Sequence, residues 1–337
     1  MSSRNAEQQQ FRFKYLLYLA AALPVLFFLF KNYYTDNTMA IKNVVLVGAG
    51  GNLGPSILHA FLKHSPYNVS VLSRQESTST FPSEVKVLKA DYTSIDSLTT
   101  ALKGQDAVIS LVGRPDAQQI LVDASIAAGV QRFIPSEFGS NTADPAVVAK
   151  VPIFKGKVGV IEYLQTKEKE ISWSGVITGP FFDWGLKVGF LGLNAGTKTA
   201  TLIDGGKARF SGTNLHQIGL ALIKVLEKAE ETKNKYIYVS SFETTQNDLL
   251  AEVEKITGEK WTVTQVKSAD LFKEGGEKLA KGDFSGIPAL LQGNIFGEEE
   301  LSDSTVQGLW NEKLGLEKES FEESIKAGLA GKLYGDH

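Results

Sequence analysis

Residues 44–54 read VVLVGAGGNLG, a short apolar run that leads directly into a loop rich in glycine. The continuous run at 44–47 predicts a strand that is buried on both faces. The spacing of apolar residues over 53–63 predicts a helix immediately after the loop. Two interpretations follow: the loop is a cradle for the phosphates of a nucleotide, or it is only a glycine-rich turn. The strand before it and the helix after it favour the cradle.

The spacing of the glycines explains why this loop suits a dinucleotide. Gly48, Gly51 and Gly54 form a GxxGxxG pattern. In such a pattern the first glycine permits the tight turn, the second lets the backbone approach the pyrophosphate, and the third lets helix and strand pack closely. The phosphates lie against the N–H groups at the start of the helix. We therefore predict cofactor contacts from these three glycines and from Asn52 and Leu53.

Beyond the loop, short apolar runs alternate with segments of helical spacing. Buried strands separated by helices predict an α/β fold of the Rossmann-like, doubly wound type, in which helices cover both faces of a parallel sheet. The predicted strands after 44–47 are 69–72, 85–88, 107–112, 132–134 and 173–178. The predicted helices after 53–63 are 95–102, 117–128 and one that follows Lys157.

The pattern changes after Gly179. Residues 191–215 have the composition of loops rich in glycine and asparagine, and one strand, 236–239, is expected to return to the sheet. Further helices are predicted at 216–230, 244–256, 268–280 and 317–329. We therefore divide the chain into an N-terminal extension (1–38), an NAD(P)-binding Rossmann domain (39–178) and a smaller, mostly helical substrate lobe (179–337).

The composition excludes several classes of function. The 337 residues carry a net charge of −3, so the charge balance does not favour a nucleic-acid partner. There is no cysteine, which excludes disulfides, thiolate catalysis and zinc bound by cysteine. None of the four histidines has the spacing of a metal ligand, so we predict no metal site. The oligomeric state is left open.

A second apolar segment, YLLYLAAALPVLFFLF at residues 15–30, contains no charged residue. As a helix it spans about 24 Å, slightly less than the hydrocarbon core of a bilayer at about 30 Å. We predict a hydrophobic transmembrane helix and a single-pass membrane tether, because no small-x-small cleavage site follows it. The alternative is a soluble cytoplasmic protein whose translation starts at Met39, just before the nucleotide-binding pattern begins.

The second predicted strand ends at Arg74, in the sequence VLSR. Enzymes for NAD usually have an acidic residue here that holds the ribose 2′-hydroxyl, whereas an arginine suits the 2′-phosphate of NADP. A guanidinium also matches the geometry and charge of a phosphate. We therefore predict NADPH as the cofactor and interpret Glu76 as part of the loop. Asp91, after the third strand, is expected near the adenine or as a cap of the helix at 95–102.

Further candidate binding residues lie where predicted strands end, because ligands bind at the carboxyl edge of open α/β sheets. Ser110 and Gly113 end the fourth strand and Phe138 follows the fifth, so these three are predicted to contact the cofactor. An aromatic group after the sixth strand either forms the apolar wall of a substrate pocket or packs between the two lobes. This group consists of Phe181, Phe182 and Trp184.

Several of these segments together resemble one known family. They are VGAGGNLG (47–54), LSR (72–74), KADYTSIDSLTTALKGQDAVISLVG (89–113) and QRFIPSEFG (131–139). They are similar to the NmrA-like, isoflavone-reductase-like branch of atypical short-chain dehydrogenases, and RFIPSEFG is the most specific of them. The resemblance covers residues 41–260, and GPFFDWG (179–185) is typical of fungal members. Several fungal members modify polyketides or other secondary metabolites.

The resemblance also implies a catalytic lysine. In the family, a lysine within a Phe-x-x-Lys pattern on the helix after the PSEFG loop is the general base or proton relay. Phe154-Lys155-Gly156-Lys157 matches this pattern, so Lys157 is the candidate and Lys155 the alternative. A lysine beside a bound nicotinamide ring, partly desolvated, has a lowered pKa and can exchange a proton with a substrate oxygen. The family's following Arg-Arg pair is replaced by Val158-Gly159.

Tyr163 and Lys167 match the YxxxK pair of ordinary short-chain dehydrogenases. One-turn spacing would place both on the same face of a helix. The pair comes late on its helix and lacks an upstream serine, so we interpret it as a coincidence.

Two functions therefore remain. The first is an NADPH-dependent oxidoreductase that reduces a small apolar or aromatic metabolite. The second is a redox-sensing regulator of the NmrA type, which binds NADP(H) and acts through a protein partner without catalysis.

Overall fold

A computed structural model describes residues 41–333 of the chain. Seven strands form its central sheet. They are β1 (Asn43–Val47), β2 (Asn68–Arg74), β3 (Lys86–Ala90), β4 (Ala107–Ser110), β5 (Arg132–Ile134), β6 (Ser172–Ile177) and β10 (Lys235–Tyr238). Their order across the sheet is β3-β2-β1-β4-β5-β6-β10, and all six neighbouring pairs are parallel. This is the Rossmann-like α/β fold that the alternation predicts, with one further strand added beside β6.

The apolar run of β1 lies at the centre of the sheet. Its residues from Val44 to Val47 are fully buried, and they alternate between two hydrophobic clusters on opposite faces. At the carboxyl end, Val47 pairs with Leu72 of β2 and Ser110 of β4. The order of strands reverses between β1 and β4, so a crevice opens at this edge of the sheet.

Helices cover both faces. α1 (Gly54–His64) and α7 (Leu215–Glu227) contribute apolar residues to one hydrophobic cluster, and α2 (Ile95–Leu102), α3 (Pro115–Ala127) and α5 (Lys155–Thr166) contribute to the other. The other helices are α4 (Pro145–Lys150), α6 (Phe182–Lys187), α8 (Ala229–Thr232), α9 (Gln246–Thr257), α10 (Ser268–Ala280), α11 (Ile287–Phe296), α12 (Asn311–Leu314) and α13 (Phe321–Leu329).

Two small sheets lie outside the central one. β7 (Leu193–Asn194), β8 (Thr199–Ile203) and β12 (Thr262–Val266) form the first, and β9 (Arg209–Gly212) and β11 (Phe242–Thr245) form the second. The expectation that residues 191–215 are loops is therefore wrong, because three strands lie there. These strands are only two to five residues long, so they lack the long apolar run or regular alternation that predicts a strand.

The predicted elements of the central sheet agree closely with the structure. The strand expected at 107–112 ends at Ser110, and the helix expected from residue 317 begins at Phe321. Ser320 caps that helix, since its side chain accepts a hydrogen bond from the N–H of Glu323 (3.3 Å). The strand expected at 236–239 does return to the sheet, where β10 pairs with β6.

The predicted N-terminal hydrophobic helix at 15–30, and the extension 1–38 that contains it, lie outside the described residues. Within 41–333, no helix has the length and apolar character needed to cross a bilayer. The division of the chain at residue 178 stays a prediction.

Candidate functional site

The glycine loop turns sharply between β1 and α1. The N–H of Gly51 donates to the carbonyl of Gly48, and the N–H of Gly54 donates to the carbonyl of Gly51, both at 3.2 Å. Gly48 has a φ of +87°, a conformation that favours glycine. A Cβ on Gly54 would lie 2.1 Å from the carbonyl oxygen of Ala49, so any side chain here would displace the backbone. The loop is therefore built around the first and third glycines of the pattern.

A cleft of about 420 Å³ extends from this loop to the ends of β2 and β4. Gly48 and Gly51 line it, whereas Asn52, Leu53 and Gly54 lie at the start of α1 and do not. The other residues that line the cleft include Ser73, Arg74, Ser77, Ser79, Phe81, Tyr92, Thr93, Val112, Arg114, Asp116 and Ile120.

Arg74 stands at the mouth of the cleft, at the end of β2. Its side chain is 65% exposed and its Nε lies 3.5 Å from a carboxylate oxygen of Glu76. The amine of Lys89 donates to the backbone carbonyls of Arg74 (3.3 Å) and Ser77 (2.8 Å), which fixes the start of the loop after β2. A second guanidinium, that of Arg114, pairs with Asp116. The cleft thus carries two exposed cations, each with an exposed partner.

Three of the predicted cofactor residues lie close to the cleft without lining it. The carboxylate of Asp91 accepts from the N–H (2.8 Å) and hydroxyl (2.7 Å) of Thr93, and these hydrogen bonds lower its pKa. It does not cap α2, because Ser94 does. Ser110 is fully buried, and its hydroxyl has no hydrogen-bond partner among residues 41–333. Gly113 follows it, between the lining residues Val112 and Arg114.

A second cavity of about 330 Å³ opens where β5 and β6 end. Its wall is mostly apolar and includes Phe138, Phe154, Lys157, Pro180, Phe181, Trp184, Phe190, Pro288, Leu291 and Ile295. The carbonyl of Gly139 accepts from the N–H groups of Thr178 (3.3 Å) and Gly179 (3.0 Å). This shared acceptor joins the loops after β5 and β6, so the two sides of the cavity are fixed relative to each other.

Lys157 supplies the only basic side chain in the described wall of this cavity. Its amine donates to the backbone carbonyl of Glu137 (3.3 Å) and lies 5.7 Å from the centre of the Phe154 ring. Burial lowers the pKa of Lys157, and the nearby Glu137 carboxylate opposes that shift. A lysine in such surroundings gives up its proton more readily than one in water.

The other candidates for acid–base chemistry lie elsewhere. Lys155, the alternative to Lys157, is exposed at the start of α5 and does not line the cavity. The hydroxyl of Tyr163 donates to the carboxylate of Asp123 on α3, and the amine of Lys167 lies 5.7 Å from the Tyr163 ring. The YxxxK match therefore joins two helices and does not reach either cavity.

The aromatic group after β6 divides into two parts. Phe181 and Trp184 line the second cavity, with ring centres 6.4 Å apart. Phe182 is fully buried and packs against Phe242 (4.8 Å) and Phe321 (5.6 Å) instead. The expectation that Phe182 forms the substrate wall is therefore corrected: it belongs to the core. Phe138, expected on the cofactor side, lines the second cavity.

Sequence reasoning missed Tyr92, Arg114 and Glu137. Tyr92 directly follows the singled-out Asp91, and its hydroxyl donates to the carbonyl of Leu72 (2.8 Å) beside the cleft. Arg114 directly follows Gly113. Tyr92 and Arg114 could therefore have been predicted at the cleft from their position next to residues already singled out. Glu137 lies in the most specific motif, but no pattern shows that its side chain is buried.

Comparisons with known proteins identify the family of this chain and structures of similar fold. The amino-acid sequence matches the NmrA-like family over residues 40–282. The chain is 38% identical over 260 residues to oxidoreductase aprR of Aspergillus flavus, a match that covers 75% of this chain and 86% of that protein. It is 31% identical over 287 residues to oxidoreductase poxI of Penicillium oxalicum, covering 82% of this chain and 90% of that protein.

Solved structures with a similar fold include isoflavone reductase, at a TM-score of 0.68 and 18% identity, covering 85% of this chain and 98% of that one. A complex of leucoanthocyanidin reductase from Vitis vinifera with NADPH has a TM-score of 0.66 at 19% identity, covering 86% of this chain and 99% of that one. At such identities the likeness establishes the fold alone.

Proposed function

The chain belongs to the NmrA-like family, and on this premise we propose that it is an NADPH-dependent oxidoreductase that reduces a small apolar or aromatic metabolite. The cofactor occupies the cleft beside the glycine loop, and the substrate occupies the cavity lined by Lys157. Both openings lie at the carboxyl edge of one parallel sheet, where ligands of such folds bind.

The residues at the cleft fit a dinucleotide. Gly48 and Gly51 line the cleft without side chains, which leaves room for a pyrophosphate beside the loop. The hydroxyl of Ser110 is fully buried and does not line the cleft, so Ser110 supports the end of β4 from within the sheet. Asn52 and Leu53 would offer backbone N–H groups to the phosphates. Asp91 would affect cofactor binding by holding the loop after β3 in place.

The cations at the cleft support NADPH rather than NADH. Arg74 ends β2, the position at which NAD enzymes have an acidic residue. Its weak, exposed contact with Glu76 leaves the guanidinium able to bind a 2′-phosphate. A relative of the same fold was solved with NADPH bound, which is consistent with this choice.

The second cavity supports an uncharged substrate. Its wall combines aromatic and aliphatic side chains with one amine, so a planar or apolar molecule with a single reducible, oxygen-bearing group fits it best. NADPH supplies a hydride when bound. Lys157 holds a proton at its Nζ beside the substrate and donates it to the oxygen on which negative charge develops. Phe181 and Trp184 exclude water and hold the substrate against that amine.

One observation supports this function above the rest: the desolvated Lys157 lines an apolar cavity at the same edge of the sheet as the cofactor cleft. The test is Lys157→Met, which removes the amine and keeps an apolar chain of similar length. We expect the affinity for NADPH, measured by calorimetry, to stay within about twofold. Turnover should fall by about 100-fold or more, as for other general acids.

Turnover is followed by NADPH absorbance with a quinone, an aromatic ketone and an α,β-unsaturated aromatic ketone as probes. Lys155→Met is the matched control, because it removes an exposed lysine from the same helix turn. Wild-type turnover in Lys157→Met would refute the role of the amine. NADPH binding without oxidation by any probe, together with capture of a protein partner, would favour the regulator instead.

A further inference from the structure

Glu137 lies in the loop that follows β5 and leads to the wall of the second cavity. The residue is almost completely buried, at 1% exposure. It extends beneath β6, where a Cβ on Gly175 would lie 3.4 Å from its Cγ. The hydroxyl of Thr142 donates a hydrogen bond to its Oε2. A buried carboxylate is costly unless it has hydrogen bonds and a counter-charge, so its neighbours need an explanation.

The counter-charge is Lys157. Its amine is anchored to the backbone carbonyl of Glu137, which holds the ammonium beside the residue that carries the carboxylate. Each group therefore stabilises the charged form of the other in surroundings that disfavour both charges. Lys157 opens to the substrate cavity, whereas Glu137 is sealed behind it.

We propose that Glu137 is a positioning residue that keeps Lys157 protonated and ready to donate, with Thr142 holding the carboxylate in place. This proposal names a further residue of the site and rests on the proposed function only for the identity of the reaction. Glu137 itself does not touch the substrate.

The direction of each effect follows from the surroundings. Burial raises the pKa of Glu137, while the charge of Lys157 and the hydrogen bond from Thr142 lower it. Burial lowers the pKa of Lys157, and the Glu137 carboxylate raises it. The other groups that face Glu137 are Tyr236 and Tyr238 on β10, and both phenols have a raised pKa, so they stay neutral in the physiological range. Glu137 is therefore the group whose charge opposes the loss of a proton from Lys157.

The test measures the titration of Lys157 directly in the full-length protein without cofactor. Lysine amines are converted to ¹³C-dimethylamines and followed by NMR against pH, and Lys157→Arg identifies the signal. Glu137→Gln keeps the shape of the side chain and removes its charge. We expect the apparent pKa of Lys157 to fall by about one pH unit or more, as opposite charges at short range produce shifts of this size.

Three further variants separate charge from packing. Thr142→Val should lower the pKa of Lys157 by a smaller amount, because the carboxylate loses a hydrogen bond, and Thr142→Ser should restore it. Glu162→Gln removes an exposed carboxylate from the same helix and should leave the titration unchanged. If Glu137→Gln fails to fold, the two Thr142 variants still test whether weakening the Glu137 carboxylate lowers the pKa of Lys157.

An unchanged Lys157 pKa in Glu137→Gln, or an equal shift in Glu162→Gln, would overturn the proposal. With a turned-over substrate, the high-pH limb of the kcat/KM profile should move to lower pH by the same amount as the NMR titration. A loss that is uniform across pH would indicate only a packing defect and also counts against it. Failure to bind or oxidise NADPH would refute the proposed function. The NMR titration of Lys157 would then still decide whether Glu137 raises the pKa of that lysine.

Discussion

Replacing Glu319 with glutamine should change how stability depends on pH. Glu319 lines a cavity of about 770 Å³ near the start of α7 and the segment after β10, and its carboxylate accepts a hydrogen bond from the hydroxyl of Ser241. That hydroxyl in turn accepts from the N–H of Asn214 (3.0 Å). Burial, and less strongly the charge of Asp183, raises the pKa of Glu319 to about 7.

The sign follows from linkage. An acid whose pKa is higher in the folded state binds protons more tightly there, so it favours folding at low pH. This contribution is complete below the unfolded value of 4.5 and is lost as pH rises through about 7. One pKa unit corresponds to about 1.4 kcal/mol, so between about pH 5 and about pH 8 the free energy of unfolding should fall by about 2.5 kcal/mol.

The assay is urea unfolding of the full-length wild type and Glu319→Gln across this pH range. Glutamine mimics the protonated acid, so the variant should lose less stability than the wild type as pH rises, and the difference between them should grow by about 2.5 kcal/mol. Glu312→Gln, an exposed acid beside the same cavity, is the control and should follow the wild type. Parallel curves for wild type and Glu319→Gln would refute the reasoning.

Three further outcomes concern the cleft and the core. Arg74→Ala should weaken NADPH binding by about tenfold and leave NADH binding unchanged in calorimetry, since an exposed charge-assisted hydrogen bond contributes at the low end of the usual range of binding energies. Lys86→Ala is the control. An equal loss of affinity for both cofactors would contradict a role of Arg74 in binding the 2′-phosphate. Gly54→Ala should weaken NADPH binding by about tenfold or more, because the new Cβ would lie 2.1 Å from the carbonyl oxygen of Ala49 and would displace the loop that binds the cofactor. Wild-type affinity in a variant with a normal circular dichroism spectrum would contradict this prediction. Phe182→Ala should lower the free energy of unfolding by about 3–5 kcal/mol, whereas Phe284→Ala, 68% exposed, should change it by less than about 1 kcal/mol in urea titrations; similar effects would place Phe182 outside the core.

The central sheet could be predicted because its signals are local. The run at 44–47 is apolar at every position, and helix α2 has a regular apolar spacing, so its observed bounds match the predicted ones, although Ser94 caps it and not Asp91. β12 was missed for the opposite reason. Its sequence TVTQV is rich in β-branched residues, which favour a strand, but it is mostly exposed, contains no apolar run, and pairs with β8 about sixty residues away.

The candidate site was predictable where function depends on the backbone, on position along the sheet, or, for Lys157, on a motif of the family. Gly48 and Arg74 follow from the strand–loop–helix pattern. Phe181 and Phe182 are adjacent and chemically identical, so only the folded chain shows that one lines the cavity and the other fills the core. The burial of Glu137 depends on Gly175 and Thr142, residues on other segments, which no spacing rule connects.

The late position of β10 in the chain has a consequence for synthesis. When the ribosome has made β6, the open edge of that strand and the face later covered by α7 are still bare, because both partners come more than thirty residues further on. Unpaired edges and uncovered apolar faces promote aggregation. A nascent chain that stops shortly after residue 177 should therefore need a chaperone, whereas one that extends past residue 238 can complete the sheet.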